Sequence, residues 1–158
     1  MTDTATLTIA PLALADAHEL APLLAAYTQD QKRGAPRAPD EYYAEILCND
    51  RSAEVLGARE DGRLVGFAVF LDIPDTMTGL RAGQLNDIFV AHDARERGVG
   101  TRLVDAVVAI GRERRWAHLR WMTPTRPTTA SGLARKMSQE GPWDAYVLPI
   151  ERAVPHTE

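Results

Sequence analysis

The run Arg95-Glu96-Arg97-Gly98-Val99-Gly100 combines two residue types suited to holding an anion. Arginine brings charge and forked N–H donors, while glycine has no Cβ to keep a phosphate away from the backbone amides. The run stands between the strand-like Gln84-Leu85-Asn86-Asp87-Ile88-Phe89-Val90 and a segment in which Val99, Leu103, Val107 and Ile110 recur at helical spacing. At such a helix start several N–H groups lack intrahelical partners and point outward together, so the expected guest is the phosphate portion of a nucleotide-containing cofactor. Two familiar arrangements fail. Leu103 stands where a dinucleotide fingerprint needs its third glycine, and no Gly-Lys-Ser/Thr follows for a P-loop. Taken alone, Gly-x-Gly after arginines also suits a tight turn with solvated arginines.

The remaining chemistry-bearing residues form no second constellation. His18, His92, His118 and His156 show no metal-ligand spacing, so no metal is expected. Cys48 is the only cysteine, which leaves neither a disulfide framework nor a cysteine zinc cluster and fits a reducing cytoplasm. Arg112, Arg114 and Arg115 crowd a helix end, where cations suit the dipole. With a formal charge of −4 and a pI near 5.6, the chain of 158 residues lacks the basic surface of a general nucleic-acid binder. No stretch approaches the roughly 18 apolar residues of a membrane span, and the N-terminus is acidic where a signal peptide would be basic. A cytoplasmic protein without nucleic-acid or membrane partners is the expectation.

Elements that would position the loop follow from periodicity. Residues 6–9 alternate as a strand. Asp16 and Glu19 resemble a capping box before a helical stripe of Leu20, Leu23, Leu24 and Tyr27, which Pro22 should kink. Residues 28–40 read as a loop, and 41–47 as a short helix. Residues 53–60 and 63–73 flank Asp61-Gly62 and predict a tight hairpin. A loop with Pro74 and Gly79 precedes the strand of 84–90. After the long helix come a strand at 118–122, a helix at 128–139 and a last strand at 145–150. This order predicts one α/β domain over residues 1–158, a mixed central sheet flanked by helices on both faces, with 45% apolar residues to fill its core.

The run Leu85-Asn86-Asp87-Ile88-Phe89-Val90, followed by Arg95-Glu96-Arg97-Gly98-Val99-Gly100-Thr101-Arg102-Leu103, resembles the central strand and cofactor loop of the GNAT acetyltransferases. That family's signature, Gln/Arg-x-x-Gly-x-Gly/Ala, is complete here, and the order of elements over about residues 6–150 is similar to the family's fold. The resemblance implies acetyl-CoA as co-substrate. Its cofactor residues would be Arg95, Glu96, Arg97, Gly98, Val99, Gly100 and Thr101, with the pyrophosphate on the amides of residues 97–101. The pantetheine arm would pair with the backbone of Ile88, Phe89 and Val90, where the central strand splays from its neighbour, often at a bulge. A backbone N–H near Val90 would meet the acyl carbonyl. The acceptor, usually a primary amine of a small molecule or a peptide, attacks the thioester directly.

An ammonium group must lose a proton before it attacks, and Asp87 is the candidate catalytic base or water anchor that the resemblance implies. Alternatively Asp87 only orders the site by bonding backbone at the bulge. Departure from the family is clearest where members often carry Asn-x-x-Ala-x-x-Leu-Tyr, the tyrosine protonating the leaving thiolate. Here Ala134 takes that tyrosine's position, which leaves Tyr27 and Tyr146 as substitutes or as ordinary core residues. The missing tyrosine keeps a second reading alive, a sensor or scaffold that binds acyl-CoA without turnover. The acceptor pocket is expected between the loops 28–40 and 72–81, whose Asp30, Asp40, Glu41, Asp72 and Asp75 would favour a cationic acceptor. Many members of the family pair through their last strands, so the resemblance implies a homodimer as a further expectation.

Overall fold

The structure, a computed structural model, describes residues 6–31, 40–125 and 127–150. The elements run β1 (Leu7–Pro11), α1 (Ala17–Gln31), α2 (Glu41–Asn49), β2 (Glu54–Glu60), β3 (Arg63–Asp75), β4 (Leu80–Val90), α3 (Val99–Arg114), β5 (Trp116–Trp121) and α4 (Thr129–Met137). Short 3-10 turns occupy Leu14–Asp16 and His92–Ala94. The five strands lie in sequence order, antiparallel up to β4, with β5 parallel to β4.

Asp61 and Gly62, with φ of 50° and 86°, make the β2–β3 turn that their sequence predicts. The continuous apolar run of β3 is explained by burial on both faces of a central strand. Val65, Ala68 and Phe70 face one way, toward Leu85, Ile88, Val99, Leu103, Val104 and Val107, so α3 covers that face. Leu64, Phe67 and Val69 face the other way, toward Phe89 and toward Leu20, Leu24 and Ala44 of α1 and α2. The mixed sheet with helices on both faces is therefore as expected.

Several boundaries differ. Asp16 ends the first 3-10 turn and accepts from the Ala13 N–H at 2.8 Å, while Glu19 turns to Arg59, so the expected capping box does not form. Pro22 lies inside α1 without ending it; the carbonyl that loses its donor belongs to the exposed His18. The helix continues past Thr28 to Gln31, and most of the loop expected at 28–40 lies outside the described residues. Pro74 belongs to β3, which pairs with β4 from Leu80 onward, so the loop expected between Asp72 and Arg81 is a tight hairpin end. The strand expected at 118–122 begins earlier, at Trp116, and α4 is Thr129–Met137 with Thr128 as its N-cap.

The last strand expected at 145–150 is not formed. Its apolar residues are a propensity signal, but a strand exists only by pairing, and this segment joins no ladder; Tyr146 and Ile150 are 89% and 85% exposed. The chain before it is anchored through Trp143, whose ring lies 4.8 Å from the Arg120 guanidinium and 5.2 Å from the His118 ring. Pro149 has no N–H to give a ladder.

Candidate active site

The central feature is a one-residue irregularity in β4. Asp87 stands opposite Val69 and Leu85 opposite Phe70, so Asn86 is an extra residue on the β4 side of the ladder. A regular strand would send Asn86 and Asp87 to opposite faces. With the bulge, both line one cavity on the side of α1 and α2, together with Leu24, Tyr27, Thr28, Tyr43, Leu47, Ala53, Val69 and Leu71. Its volume is about 310 Å³.

The same region parts β4 from β5. Parallel pairing runs only from Arg81 with Trp116 to Leu85 with Trp121, and the N–H of Met122 closes it on the Leu85 carbonyl at 2.9 Å. Residues 86–90 keep β3 on one side, but the pairing with β5 has ended. A larger cleft of about 760 Å³ opens there, lined by Ile88, Phe89 and Val90, by the loop through Gly100 and Thr101, and by residues of α4.

Gly98 adopts φ 78° and ψ 13° as the N-cap of α3. A Cβ there would meet nothing within 4 Å, so the glycine is required by its left-handed backbone rather than by present crowding. Gly100 has a different reason, because a Cβ would come within 3.1 Å of Leu133 in α4. Arg102 donates to the Gly98 carbonyl at 3.0 Å, the first bond of the helix ladder, which leaves the N–H groups of Val99, Gly100 and Thr101 ahead of it. Such open N–H groups suit an anion.

The two arginines are not the free charges that the sequence suggests. Arg95 lines the cleft, but its Nε donates to the Val90 carbonyl at 2.9 Å and its Nη2 pairs with Asp30 at 3.1 Å. Its guanidinium also lies 5.4 Å from the centre of the Phe89 ring. Arg97 turns away to Glu60 and to the Asp93 carbonyl, both at 2.9 Å, and does not line the cleft. Of the predicted cofactor residues, Ile88, Phe89, Val90, Arg95, Glu96, Gly98, Val99, Gly100 and Thr101 do line it. Sequence reasoning missed Thr128, Thr129 and Lys136, which α4 brings to the opposite wall. The basic last turn of that helix was the available signal.

Asp87 is half-buried, and the Tyr27 hydroxyl donates to its Oδ1 at 2.8 Å. Burial pushes the Asp87 carboxyl above its usual 3.8, against the opposing effect of that hydrogen bond. Burial and then the nearby Asp87 also raise the Tyr43 phenol. Tyr27 is packed edge-on against Phe67 and Phe89, and it is the residue that both cavities share. Tyr146, the other substitute for the absent α4 tyrosine, lies on the exposed C-terminal segment and lines neither cavity.

Four of the five acidic residues expected to draw in a cationic acceptor have other tasks, and the fifth, Glu41, stands in the first turn of α2 and does not line the cavity. Asp40 caps α2 through the Tyr43 N–H, Asp72 is held by Arg81 and Arg114, and Asp75 by Arg120 and Thr78. Asp30 pairs with Arg95 and lines the cofactor cleft. Neither Asp72 nor Asp75 lines the cavity that holds Asp87, so the acidic frame expected there does not form from them. Cys48 is half-buried on α2, where burial raises its thiol. Among the described residues no three His, Cys, Asp or Glu side chains converge as metal ligands, and no helix is long and apolar enough to cross a membrane.

A mixed sheet whose central strand parts from its neighbour beside a glycine-capped helix start is the arrangement expected of an acyl-CoA-dependent acyltransferase. The sequence pattern of the acetyltransferase (GNAT) family matches residues 20–134, and the chain belongs to that family. Membership makes it an N-acetyltransferase domain that draws on an acyl-CoA donor. It is similar to the crystal structure of a ribosomal-protein-alanine N-acetyltransferase from Brucella melitensis biovar Abortus 2308, with 44% identity and a TM-score of 0.83 over 92% of this chain and 99% of that one. An aminoglycoside acetyltransferase from an uncultured soil metagenomic sample shares the fold at 19% identity, with a TM-score of 0.74 over 92% and 99% of the two chains. An uncharacterized N-acetyltransferase, YhfO of Bacillus subtilis (strain 168), is 29% identical over 91 residues, which are 58% of this chain and 61% of that protein's length.

Proposed function

We propose that this chain transfers an acetyl group from acetyl-CoA to the α-amino group of a peptide or protein whose first side chain is small, as alanine's is. The observation that carries this reading is the bulge at Asn86, which sets Asp87 in a compact, largely apolar cavity directly beside the cofactor cleft. The 44% identical relative, described as acting on a ribosomal-protein alanine, supports the same acceptor class. Leu24, Leu47, Ala53, Val69 and Leu71 suit a small aliphatic side chain, and about 310 Å³ lies at the lower end of ligand cavities. A polycationic aminoglycoside would find one carboxylate there and little room.

In this account the amides of Val99, Gly100 and Thr101 hold the pyrophosphate, and Lys136 adds a cation on the other wall. The backbone of Ile88, Phe89 and Val90 offers the edge away from β3 to the extended pantetheine arm, the Val90 carbonyl on that edge being already held by Arg95. The bound thioester supplies an activated acyl carbon and a thiolate leaving group. Asp87 accepts the ammonium proton, so that a neutral amine attacks, and its raised pKa brings it closer to the pH at which it must work.

The test is release of CoA with peptides that begin with Ala, Ser, Leu or Glu, alongside a polyamine and an aminoglycoside, the product being mapped by mass spectrometry. Turnover concentrated on the Ala and Ser peptides, with acetyl on the α-nitrogen, is the expected result. Turnover on the aminoglycoside or on lysine side chains alone would overturn the acceptor assignment. Acetyl-CoA binding without turnover on any amine would return the chain to the sensor reading that the absent α4 tyrosine suggests.

A further inference from the structure

The reaction leaves a thiolate on the side of the cleft where α4 brings no phenol, since its residues Thr129–Met137 contain no tyrosine. Another phenol stands nearby. Tyr27 lines the cofactor cleft with Ile88, Phe89 and Val90, lines the acceptor cavity with Asn86 and Asp87, and donates to Asp87 at 2.8 Å. Its ring is held between α1 and the sheet by Phe67 and Phe89, with centroids 5.7 and 5.8 Å away, so the hydroxyl is fixed at the boundary of the two cavities. Resting on the transferase reading above, we propose that the Tyr27 hydroxyl is the proton donor to the departing thiolate and that Asp87 restores its proton.

In this sequence the amine nitrogen bonds to the acyl carbon and the carbon–sulfur bond breaks. The acceptor enters as an ammonium, so one proton first leaves through Asp87 to solvent. The remaining amine proton then passes to the ionised Asp87, the phenol proton passes to the thiolate sulfur, and Asp87 returns its proton to the phenolate oxygen. The charges balance with one proton released to solvent per turnover, and Tyr27 and Asp87 end as they began. Phenol and carboxylate form one relay from the acceptor cavity to the cleft, which explains why a single side chain belongs to both. Other titratable groups face this corner: Tyr43 from α2, Asp30 from the end of α1, and His92 and Arg95, which contact the Phe89 ring. They set the electrostatic background, and the variants below leave all of them in place.

Tyr27→Phe keeps the ring packing and removes only the hydroxyl. Its kcat is expected to fall about tenfold to a hundredfold, the modest end of general acid catalysis because a thiolate leaves readily, with KM for the acyl donor little changed. The alkaline decline of wild-type kcat disappears in this variant. Incorporation of a more acidic difluorotyrosine at position 27 moves that decline to lower pH without emptying the site. In the ligand-free protein, carbon-13 titration of the Asp87 carboxyl should give a higher midpoint in Tyr27→Phe, because the bond that lowers it is lost. An alkaline limb unchanged by either replacement, or a kcat that stays at the wild-type level, would overturn the Tyr27 role while leaving the transferase reading intact. A wild-type protein that binds acetyl-CoA but acetylates no amine would overturn both.

Discussion

Tyr27 and Asp87, 60 positions apart in the chain, share a hydrogen bond of 2.8 Å that ties the first long helix to the central strand. The bond holds a carboxyl group that burial has pushed above its usual 3.8. Asp87→Asn should therefore lower kcat by about 10²-fold or more, as loss of a general base does, while acetyl-CoA affinity stays near wild type. In the wild type, activity falls as pH drops through the raised value, because the base must be ionised, and this acid limb should vanish in the variant. The stability effect has the opposite sense: a folded-state pKa above the unfolded one gives stability that is full below 3.8 and lost as pH rises through the folded value. At neutral pH the variant should melt no lower than wild type. A large loss of melting temperature would show that Asp87 is chiefly structural.

Arg59 on β2 grips Glu19 of α1 through two contacts of 2.7 and 3.1 Å and Asp16 through one of 2.9 Å. The hydrogen bond from Arg59 is the main reason that Glu19 titrates below its usual 4.5. Glu19 then contributes stability that is present above that value and is lost as pH falls through its lower, folded value. Both side chains are partly exposed, so Arg59→Ala should cost only about 1 kcal/mol, on the scale of a well-formed surface pair. Chemical denaturation at pH 7 and at pH 3 checks this: the difference between wild type and variant should shrink at the lower pH.

Gly83 of β4 and Gly111 of α3 make room for the Trp116 ring, which a Cβ at either position would overlap. The contact fixes the parallel start of β5 and thereby the point from which β4 and β5 diverge. Gly83→Ala should destabilise the fold by about 1–3 kcal/mol, the range for overpacking a core. Gly83→Ala combined with Trp116→Leu should recover part of the loss, a coupling that denaturant midpoints of the four proteins would reveal.

Much of this arrangement was legible in the chain. Asp61-Gly62 marked its hairpin because only certain residues accept two successive positive φ angles, and Arg95-x-x-Gly98-x-Gly100 marked the helix start because close anion approach restricts the residue types. Asp87 stood out only through the resemblance to the family, whose central strand often carries an acidic residue. The resemblance also implied a bulge, but not that Asn86 is its extra residue and turns to the same cavity, because register depends on how β3 and β4 meet in space. Nor could composition show that Arg95 and Arg97 are occupied by Asp30 and Glu60, since those partners come from distant elements. The apolar segment at 145–150 misled in the reverse sense: its residue types favour a strand, yet nothing pairs with it.

Lys136, on the α4 wall of the cleft, should bear on donor binding and not on chemistry. Lys136→Ala should raise KM for acetyl-CoA severalfold with kcat nearly unchanged, and the difference should narrow as salt is added, because an exposed charge is screened. Steady-state kinetics at low and high ionic strength would check both parts. A fall in kcat without a change in KM would place Lys136 elsewhere in the reaction.

The start of α3 is where the whole account is most directly exposed to test, by calorimetric titration of acetyl-CoA into the wild-type chain and into Gly98→Asp. The variant puts a carboxylate where the pyrophosphate should lie and a side chain on a backbone with φ 78°. A saturating heat with the wild type, and binding at least about tenfold weaker in a variant that still unfolds cooperatively, is the predicted result. No binding by the folded wild type, or equal binding by the two proteins, would contradict the assignment of this cleft to the acyl donor.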